Sequence, residues 1–219
     1  MVGAMLAATS PVLAQTAAPS PSADPNAGVK TALETCFKCH GPGGVSQIPS
    51  HPSIAGQSAD YVARQLFAFK RASAAHAGGD EADTQAPLVM RADSIMEHMA
   101  PTLNDAMIRK LAATISQLAC RADDKVQKTP QAPAVASRCV SCHGDNGRGV
   151  RPDVPNLAGQ QRAYLRRELL LIRETAWGAD PRDGESWRGH PIMEAQAARL
   201  KIADVDALAR YYADLDCRG

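Results

Sequence analysis

The sequence predicts an all-helical chain made of two similar halves, and three observations support this fold class. A pattern of the form C-x-x-C-H occurs twice, at residues 36–40 and 139–143. A shift of 103 positions superimposes the two copies and also carries Gly56-Gln57 onto Gly159-Gln160. Elsewhere apolar residues recur at the three- and four-residue spacing of amphipathic helices, without the alternation that is typical of strands.

The N-terminal residues predict export. Residues 1–14 form a short apolar run that ends in small residues before Gln15, like a signal peptide whose basic start has been truncated. Residues 15–26 are rich in Pro, Ala and Ser and are predicted to be disordered. No later stretch reaches the roughly 20 apolar residues of a membrane span, so we expect no transmembrane segment. Together with the predicted signal segment, this predicts a periplasmic protein.

The first half, residues 27–120, is predicted to contain three helical segments, which cover residues 27–35, 58–71 and 104–118. Ser58 is the predicted N-cap of the second segment. Its predicted buried face consists of Val62, Leu66 and Phe69. Between the second and third segments, a polar loop at 72–87 precedes a methionine-rich stretch at 90–101.

The second half, residues 134–219, repeats the first after a polar, proline-bearing linker at 121–133. Tyr61 corresponds to Tyr164 at the shift of 103. A shorter variable loop then reduces the shift to 97, which carries residues 95–97 onto 192–194 and the last helix of one half onto that of the other. A match of this length indicates duplication of a whole domain.

The repeated pattern is the attachment signature of c-type haem. Its two thiols are spaced to add to the two vinyl groups of one porphyrin, and the adjacent histidine can bind the iron as the proximal ligand. The sequence therefore predicts two covalently bound haem c groups. The predicted attachment residues are Cys36, Cys39, Cys139 and Cys142, and the predicted proximal ligands are His40 and His143.

Other uses of the same cysteines are less consistent with the sequence. The two pairs lie about a hundred residues apart, whereas zinc modules usually separate their pairs by roughly 12 to 20. A thioredoxin-like pair requires a β-α-β context, and no such pattern surrounds either copy. A simple disulfide would not account for the histidine in both copies.

A methionine is the predicted sixth ligand of each iron. Met193 is the one methionine of the second half, and Met96 lies in the same register in the first half, which favours Met96 over Met90 and Met99. The alternative is that these methionines only fill the core. Four histidines are predicted to be rival ligands or solvated residues, namely His98 and His190 beside the methionines and His51 and His76 in polar loops.

Two cysteines lie outside the motifs, each after the last helix of its own half. In an oxidising compartment, Cys120 and Cys217 could form a disulfide that joins the halves, but free thiols or pairing between molecules are equally compatible with the sequence.

The haem motif followed by Gly, the P-x-[IL]-A-G-Q segment and the methionine before a last amphipathic helix resemble class I cytochrome c. The duplication resembles the di-haem cytochromes c4 within that family. The resemblance implies two cytochrome c domains related by a pseudo-twofold axis, with haems near the interface and His/Met ligation. It also implies that the carbonyls of Pro52 and Pro155 orient the proximal histidines. The residues that depart from the family are Gly78-Gly79, the segment 177–187 and the extra cysteine pair.

The predicted function is electron transfer between redox proteins of a respiratory chain. A quinol-oxidising complex or dehydrogenase is the expected donor, and a terminal oxidase or reductase the expected acceptor; membrane association would come only through such partners. Alternatives are the cytochrome subunit of a flavocytochrome-type dehydrogenase and a di-haem enzyme with an open iron, such as a peroxidase or thiosulfate dehydrogenase. The formal net charge of +1 gives no indication of nucleic-acid binding. One basic helix could dock an acidic partner or simply be solvated, and its cations are Arg162, Arg166, Arg167 and Arg173.

Overall fold

The computed structural model describes residues 27–77, 90–121, 129–178 and 186–218. The predicted signal segment, the predicted disordered residues 15–26 and the glycine pair at 78–79 lie outside the described residues, as do parts of the linker and of the segment 177–187.

Each half contains the same order of helices. In the first half these are α1 (Ala27–His40), α2 (Ala59–His76), α3 (Ser94–Met99) and α4 (Asp105–Ser116), with 3-10 turns at Pro42–Gly44 and Ala100–Thr102. In the second half these are α5 (Val140–His143), α6 (Arg162–Ala176), α7 (Pro191–Ala197) and α8 (Ile202–Asp214), with a 3-10 turn at Ala134–Arg138.

The core of each half forms where two amphipathic helices pack, α2 against α4 and α6 against α8. The predicted apolar faces are buried there, apart from half-buried Leu66, Leu118 and Leu169. The largest fully buried side chains of the two halves are Ile108, Leu111, Val205 and Leu208. Burying one such side chain stabilises the fold by about 1.5–3 kcal/mol. Because the apolar periodicity occurs in each half, the chain has two separate cores.

Two predicted helix boundaries are wrong. Helix α1 does not end at residue 35 but continues through the haem motif to His40. It stops at Gly41, whose φ is 81° and where a Cβ atom would lie only 2.1 Å from the Val45 carbonyl oxygen. Helix α2 continues five residues beyond Arg71, to His76. Its alanines and serines favour helix as readily as loop, so the predicted polar loop begins too early.

Ser58 precedes α2 as predicted, but its hydroxyl does not cap the helix. It donates instead to the carbonyl of Pro152, in the other half. The N-terminal end of α2 is thus bound to the opposite domain. A prediction based on the sequence of one helix cannot detect such a contact.

A two-stranded antiparallel sheet, absent from the sequence-based prediction, joins the halves. Strands β1 (Met90–Asp93) and β2 (Ser186–Gly189) come from equivalent positions at the shift of 97. Arg91 pairs with Arg188, its own equivalent in the repeat. This self-pairing is the pattern that a twofold axis through the strand pair produces, so the two domains are related by a pseudo-twofold axis.

No helix in the part of the chain that the structure describes is long and apolar enough to cross a membrane.

Candidate haem sites

One cavity, lined mainly by apolar groups, extends through both halves and brings the predicted site residues together. The predicted residues that line it are Cys36, Cys39, His40, Met96, Cys139, His143 and Met193. Cys142 is exposed and is not part of the lining, although its motif neighbours are. The apolar wall and the motif thiols on its edge fit a covalently attached porphyrin.

The two proximal histidines are held in the same way. The Nδ1 atom of His40 lies 2.9 Å from the Pro52 carbonyl oxygen, and that of His143 lies 3.1 Å from the Pro155 carbonyl oxygen. A carbonyl can only accept, so Nδ1 carries the proton and the lone pair of Nε2 is left for a metal. Burial lowers the pKa of both imidazoles, which favours the neutral form that binds iron.

Each predicted methionine ligand lies in the first turn of a short helix. Asp93 precedes α3, and its carboxylate accepts the backbone N–H of Met96 at 3.2 Å. His190 precedes α7, and its Nδ1 accepts the backbone N–H of Met193 at 3.5 Å. These caps fix the start of each helix and thereby the backbone that carries the thioether. In the same stretch of the first half, Met99 is exposed and does not line the cavity.

The four motif cysteines are free, whereas the other two are bonded to each other. Cys120 and Cys217 form a disulfide, with a Cα–Cα distance of 6.2 Å, between the segments that follow α4 and α8. Among the described residues, no three His, Cys, Asp or Glu side chains converge as a metal-ion site.

The remaining histidines do not compete convincingly for iron. His98 is exposed, with its Nδ1 2.5 Å from the Ser94 carbonyl oxygen, and His190 is the cap just described. His76 is exposed, as predicted for a solvated residue, but it lies at the end of α2 rather than in a loop and pairs with the buried Glu97 at 2.6 Å. The expectation for His51 is wrong, because His51 is half-buried and lines the cavity.

Two glutamines connect the halves by reciprocal hydrogen bonds. The amide of Gln57 accepts the backbone N–H of Asn156 at 2.8 Å and donates to its carbonyl at 2.9 Å. The amide of Gln160 makes the same pair of bonds with Ser53, at 2.8 and 2.9 Å. The repeated A-G-Q sequence therefore serves domain pairing as well as the haem loop.

A buried polar cluster lies where the two halves meet. Arg91 donates to the Tyr164 hydroxyl at 2.6 Å, and Arg188 donates to the Tyr61 hydroxyl at the same distance. Both contacts cross from one half to the other. Arg91 also stacks on the Phe69 ring, with its guanidinium carbon 4.7 Å from the ring centre.

Glu168 supplies the buried negative charge of this cluster. Its carboxylate accepts from Arg188 and lies 3.2 Å from Arg91 and 3.0 Å from Arg167. Burial alone would raise the pKa of Glu168, but the attraction of Arg91, Arg188 and Arg167 outweighs it and lowers the pKa to about 2. Burial raises the pKa of Tyr164 to about 12, so this phenol stays neutral.

The predicted basic helix face is mostly engaged within the chain. Arg166 pairs with Asp206 at 2.6 Å, Arg167 contacts Glu168, and Arg173 donates to the Leu200 carbonyl at 3.0 Å. These contacts favour a structural role over a free docking patch.

Sequence reasoning missed three kinds of residue here. The paired Gln57 and Gln160 were visible in the repeat but not interpreted as interface residues. Arg91 and Arg188 resemble ordinary surface charges, and only their equivalence at the shift of 97 could have indicated a shared role. Asp93 does stand three residues before Met96, which is the spacing of a cap.

Comparison with known proteins supports this arrangement. The family described as Cytochrome c matches residues 26–119 and 131–216. Cytochrome c4 from Thiocapsa roseopersicina is 29% identical over 217 residues, which cover 90% of this chain and 95% of that protein. The thiosulfate dehydrogenase electron acceptor from Stutzerimonas stutzeri (strain A1501) is 26% identical over 202 residues, with coverage of 86% and 82%. The crystal structure of reduced recombinant cytochrome c4 from Pseudomonas stutzeri matches with a TM-score of 0.62 and 28% identity, and covers 89% of this chain and 100% of that one.

The family matches cover most of the chain, one match for each half, and both halves carry a complete attachment motif. The chain is thus a di-haem c-type electron carrier with two covalently bound haem c groups, and it belongs to the cytochrome c family.

Proposed function

We propose that each half holds its iron between one histidine and one methionine, and that the chain carries single electrons between redox proteins of the periplasm. The residues that would hold the iron are His40 and Met96 in the first half and His143 and Met193 in the second. The observation that carries this proposal is the common cavity, which both pairs line together with motif cysteines of both halves.

Haem iron supplies one-electron Fe(III)/Fe(II) chemistry, and the chain's own residues set the conditions for it. Pro52 and Pro155 hold the imidazoles in one orientation through Nδ1. The caps of α3 and α7 fix the backbone of the methionines. Ligands held in both oxidation states reorganise little, which keeps electron transfer fast. Methionine also raises the reduction potential relative to a second histidine.

The proposed partners are a quinol-oxidising complex or a dehydrogenase as donor and a terminal oxidase or reductase as acceptor. A relative named as an electron acceptor of thiosulfate dehydrogenase supports a second candidate, in which this chain is the electron-transfer subunit of such a dehydrogenase. A free carrier would purify alone and exchange electrons in brief encounters. A dedicated subunit would remain bound to its dehydrogenase through size-exclusion chromatography.

The ligand assignment is tested by near-infrared absorption of the oxidised, haem-loaded protein, where a methionine-to-iron charge-transfer band is diagnostic. We expect band intensity for two haems and loss of half of it in each of Met96→His and Met193→His. The matched control is Met99→His, in the exposed part of the same stretch, which should leave the band unchanged. An intact band in either ligand variant would contradict the assignment for that half.

A further inference from the structure

The buried cluster between the halves is symmetric in its arginines and tyrosines but not in its acceptors. At equivalent positions of the repeat, α2 carries Gln65 and α6 carries Glu168. Both side chains are buried, with 8% and 5% of their surface exposed, and both line the cavity. Each accepts a hydrogen bond from the arginine of its own half, Arg91 or Arg188. The two positions thus share the contact with their own arginine but differ in charge, and Glu168 also lies 3.2 Å from Arg91 and 3.0 Å from Arg167.

A buried charge at this position acts on the iron through a medium that screens it poorly. The ferric state has one more positive charge than the ferrous state, so a nearby carboxylate stabilises it and lowers the reduction potential. Glu168 lies on α6 of the second half, whose Leu165 and Leu169 line the common cavity and belong to the second-half core. Gln65 is related to the first half in the same way but has no charge.

We propose that Glu168 tunes the reduction potential of the second-half haem, and that it lowers this potential more than that of the first-half haem. In a molecule that holds one electron, the iron of one half is oxidised when the iron of the other half is reduced, so no other reactant is needed. By lowering the potential of the second-half haem, Glu168 shifts this electron towards the first-half haem. This inference rests on the proposed function, because it requires one redox-active iron in each half.

Gln65 and Glu168 differ in charge although both accept a hydrogen bond from the arginine of their own half. Arg91 and Arg188 need an oxygen acceptor in either half, and an amide provides it as well as a carboxylate does. The carboxylate adds a negative charge, which Arg91 and Arg167 also contact and which the equivalent position of the first half lacks.

The test is an equilibrium redox titration of the haem-loaded protein, followed optically. Each potential is assigned to its haem through the shift that Met96→His or Met193→His causes. In Glu168→Gln, we expect the second-half potential to rise and the constant for sharing one electron between the haems to change by at least tenfold. A tenfold change corresponds to about 59 mV for one electron.

The double variant Gln65→Glu with Glu168→Gln keeps the composition of the cluster and moves the charge to the other half. It should lower the first-half potential relative to the second. If Glu168→Gln folds poorly, the double variant can be used in its place to test the proposal. Equal shifts of both haems, or no shift in the double variant, would overturn the proposal. Absence of the methionine band in the unaltered protein would instead refute the proposed ligation. Unequal shifts of the two potentials in Glu168→Gln would still distinguish a charge that acts on one haem from a charge that acts equally on both.

Discussion

In the first half a carboxylate, that of Asp93, accepts the backbone N–H of Met96, whereas in the second half the imidazole of His190 accepts that of Met193. By contrast, the two interface glutamines are the same in both halves: Gln57 and Gln160 make matching pairs of bonds to the opposite half, at 2.8 and 2.9 Å.

The physical reason for this difference lies in what each group must bind. Each interface glutamine binds a backbone N–H and a backbone carbonyl, which the repeat offers in both halves, so the same amide serves in both. Asp93 and His190 need only accept the methionine N–H, so their charge can differ, and the charged Asp93 also lies 3.5 Å from Arg167 of the other half. Glu168 and Gln65 likewise both accept from the arginine of their own half, but the charged Glu168 also lies 3.2 Å from Arg91 of the other half.

The largest expected effect comes from protonating Glu168. Its folded-state pKa of about 2 lies below the ordinary value of 4.5, so its contribution is present above about pH 4.5 and is lost as the pH falls towards 2. At about 1.36 kcal/mol for each pH unit of pKa shift, this is on the order of 3 kcal/mol in the free energy of unfolding. Denaturant titrations at pH 6 and at pH 2 measure it.

The relevant quantity is the difference in stability between the unaltered protein and Glu168→Gln, because other carboxyl groups titrate in both. That difference should shrink by about 3 kcal/mol at the lower pH. Glu174→Gln, an exposed position on the same helix, should show no such change. A pH-independent difference for Glu168→Gln would mean that the carboxylate gains nothing from its arginines.

The helices and the site residues were largely predictable, because periodicity and the C-x-x-C-H motif are local signals. The apolar face of α4 follows directly from the spacing of Ile108, Leu111 and Ile115. Met96 could be selected over Met99 because the repeat supplied a second sequence for comparison. Structure adds that Met96 lines the cavity and Met99 does not.

The contacts between the halves could not be predicted, because they depend on how two folded domains meet. Strands β1 and β2 are four residues each and lack an alternating pattern, so only their pairing across the axis identifies them. Ser58 has the sequence context of an N-cap, yet its hydroxyl binds the opposite half. A buried arginine such as Arg91 has the same sequence appearance as a solvated one.

An intermediate effect is expected from removing either interface amide. Gln57→Ala and Gln160→Ala each delete two hydrogen bonds to backbone groups of the opposite half, at about 1 kcal/mol net for each bond. We expect each variant to lose about 2 kcal/mol of unfolding free energy, and the two losses to agree because the bonds are reciprocal. Gln196→Ala, at an exposed helical position, is the control. Clearly unequal losses would show that the interface is less symmetric than its hydrogen bonds.

The smallest expected effect concerns the two caps, where the halves differ. Removing an N-cap acceptor typically costs about 1 kcal/mol. The charged Asp93 accepts at 3.2 Å and also lies 3.5 Å from Arg167, so it should contribute more than His190, which accepts at 3.5 Å. We therefore expect Asp93→Ala to destabilise the fold by about 1 kcal/mol and His190→Ala by less.

Global stability alone would not connect the caps to the iron, so the second measurement is the temperature at which the methionine band disappears. The control is Asn104→Ala. The Asn104 side chain caps α4 by accepting the backbone N–H of Met107 at 2.8 Å, so its removal should lower stability without an early loss of the methionine band. In Asp93→Ala, half of the band should disappear below the unfolding temperature, because the turn that carries Met96 loosens before the core does. Simultaneous loss of the band and the fold would show that the cap stabilises the domain but does not position the ligand.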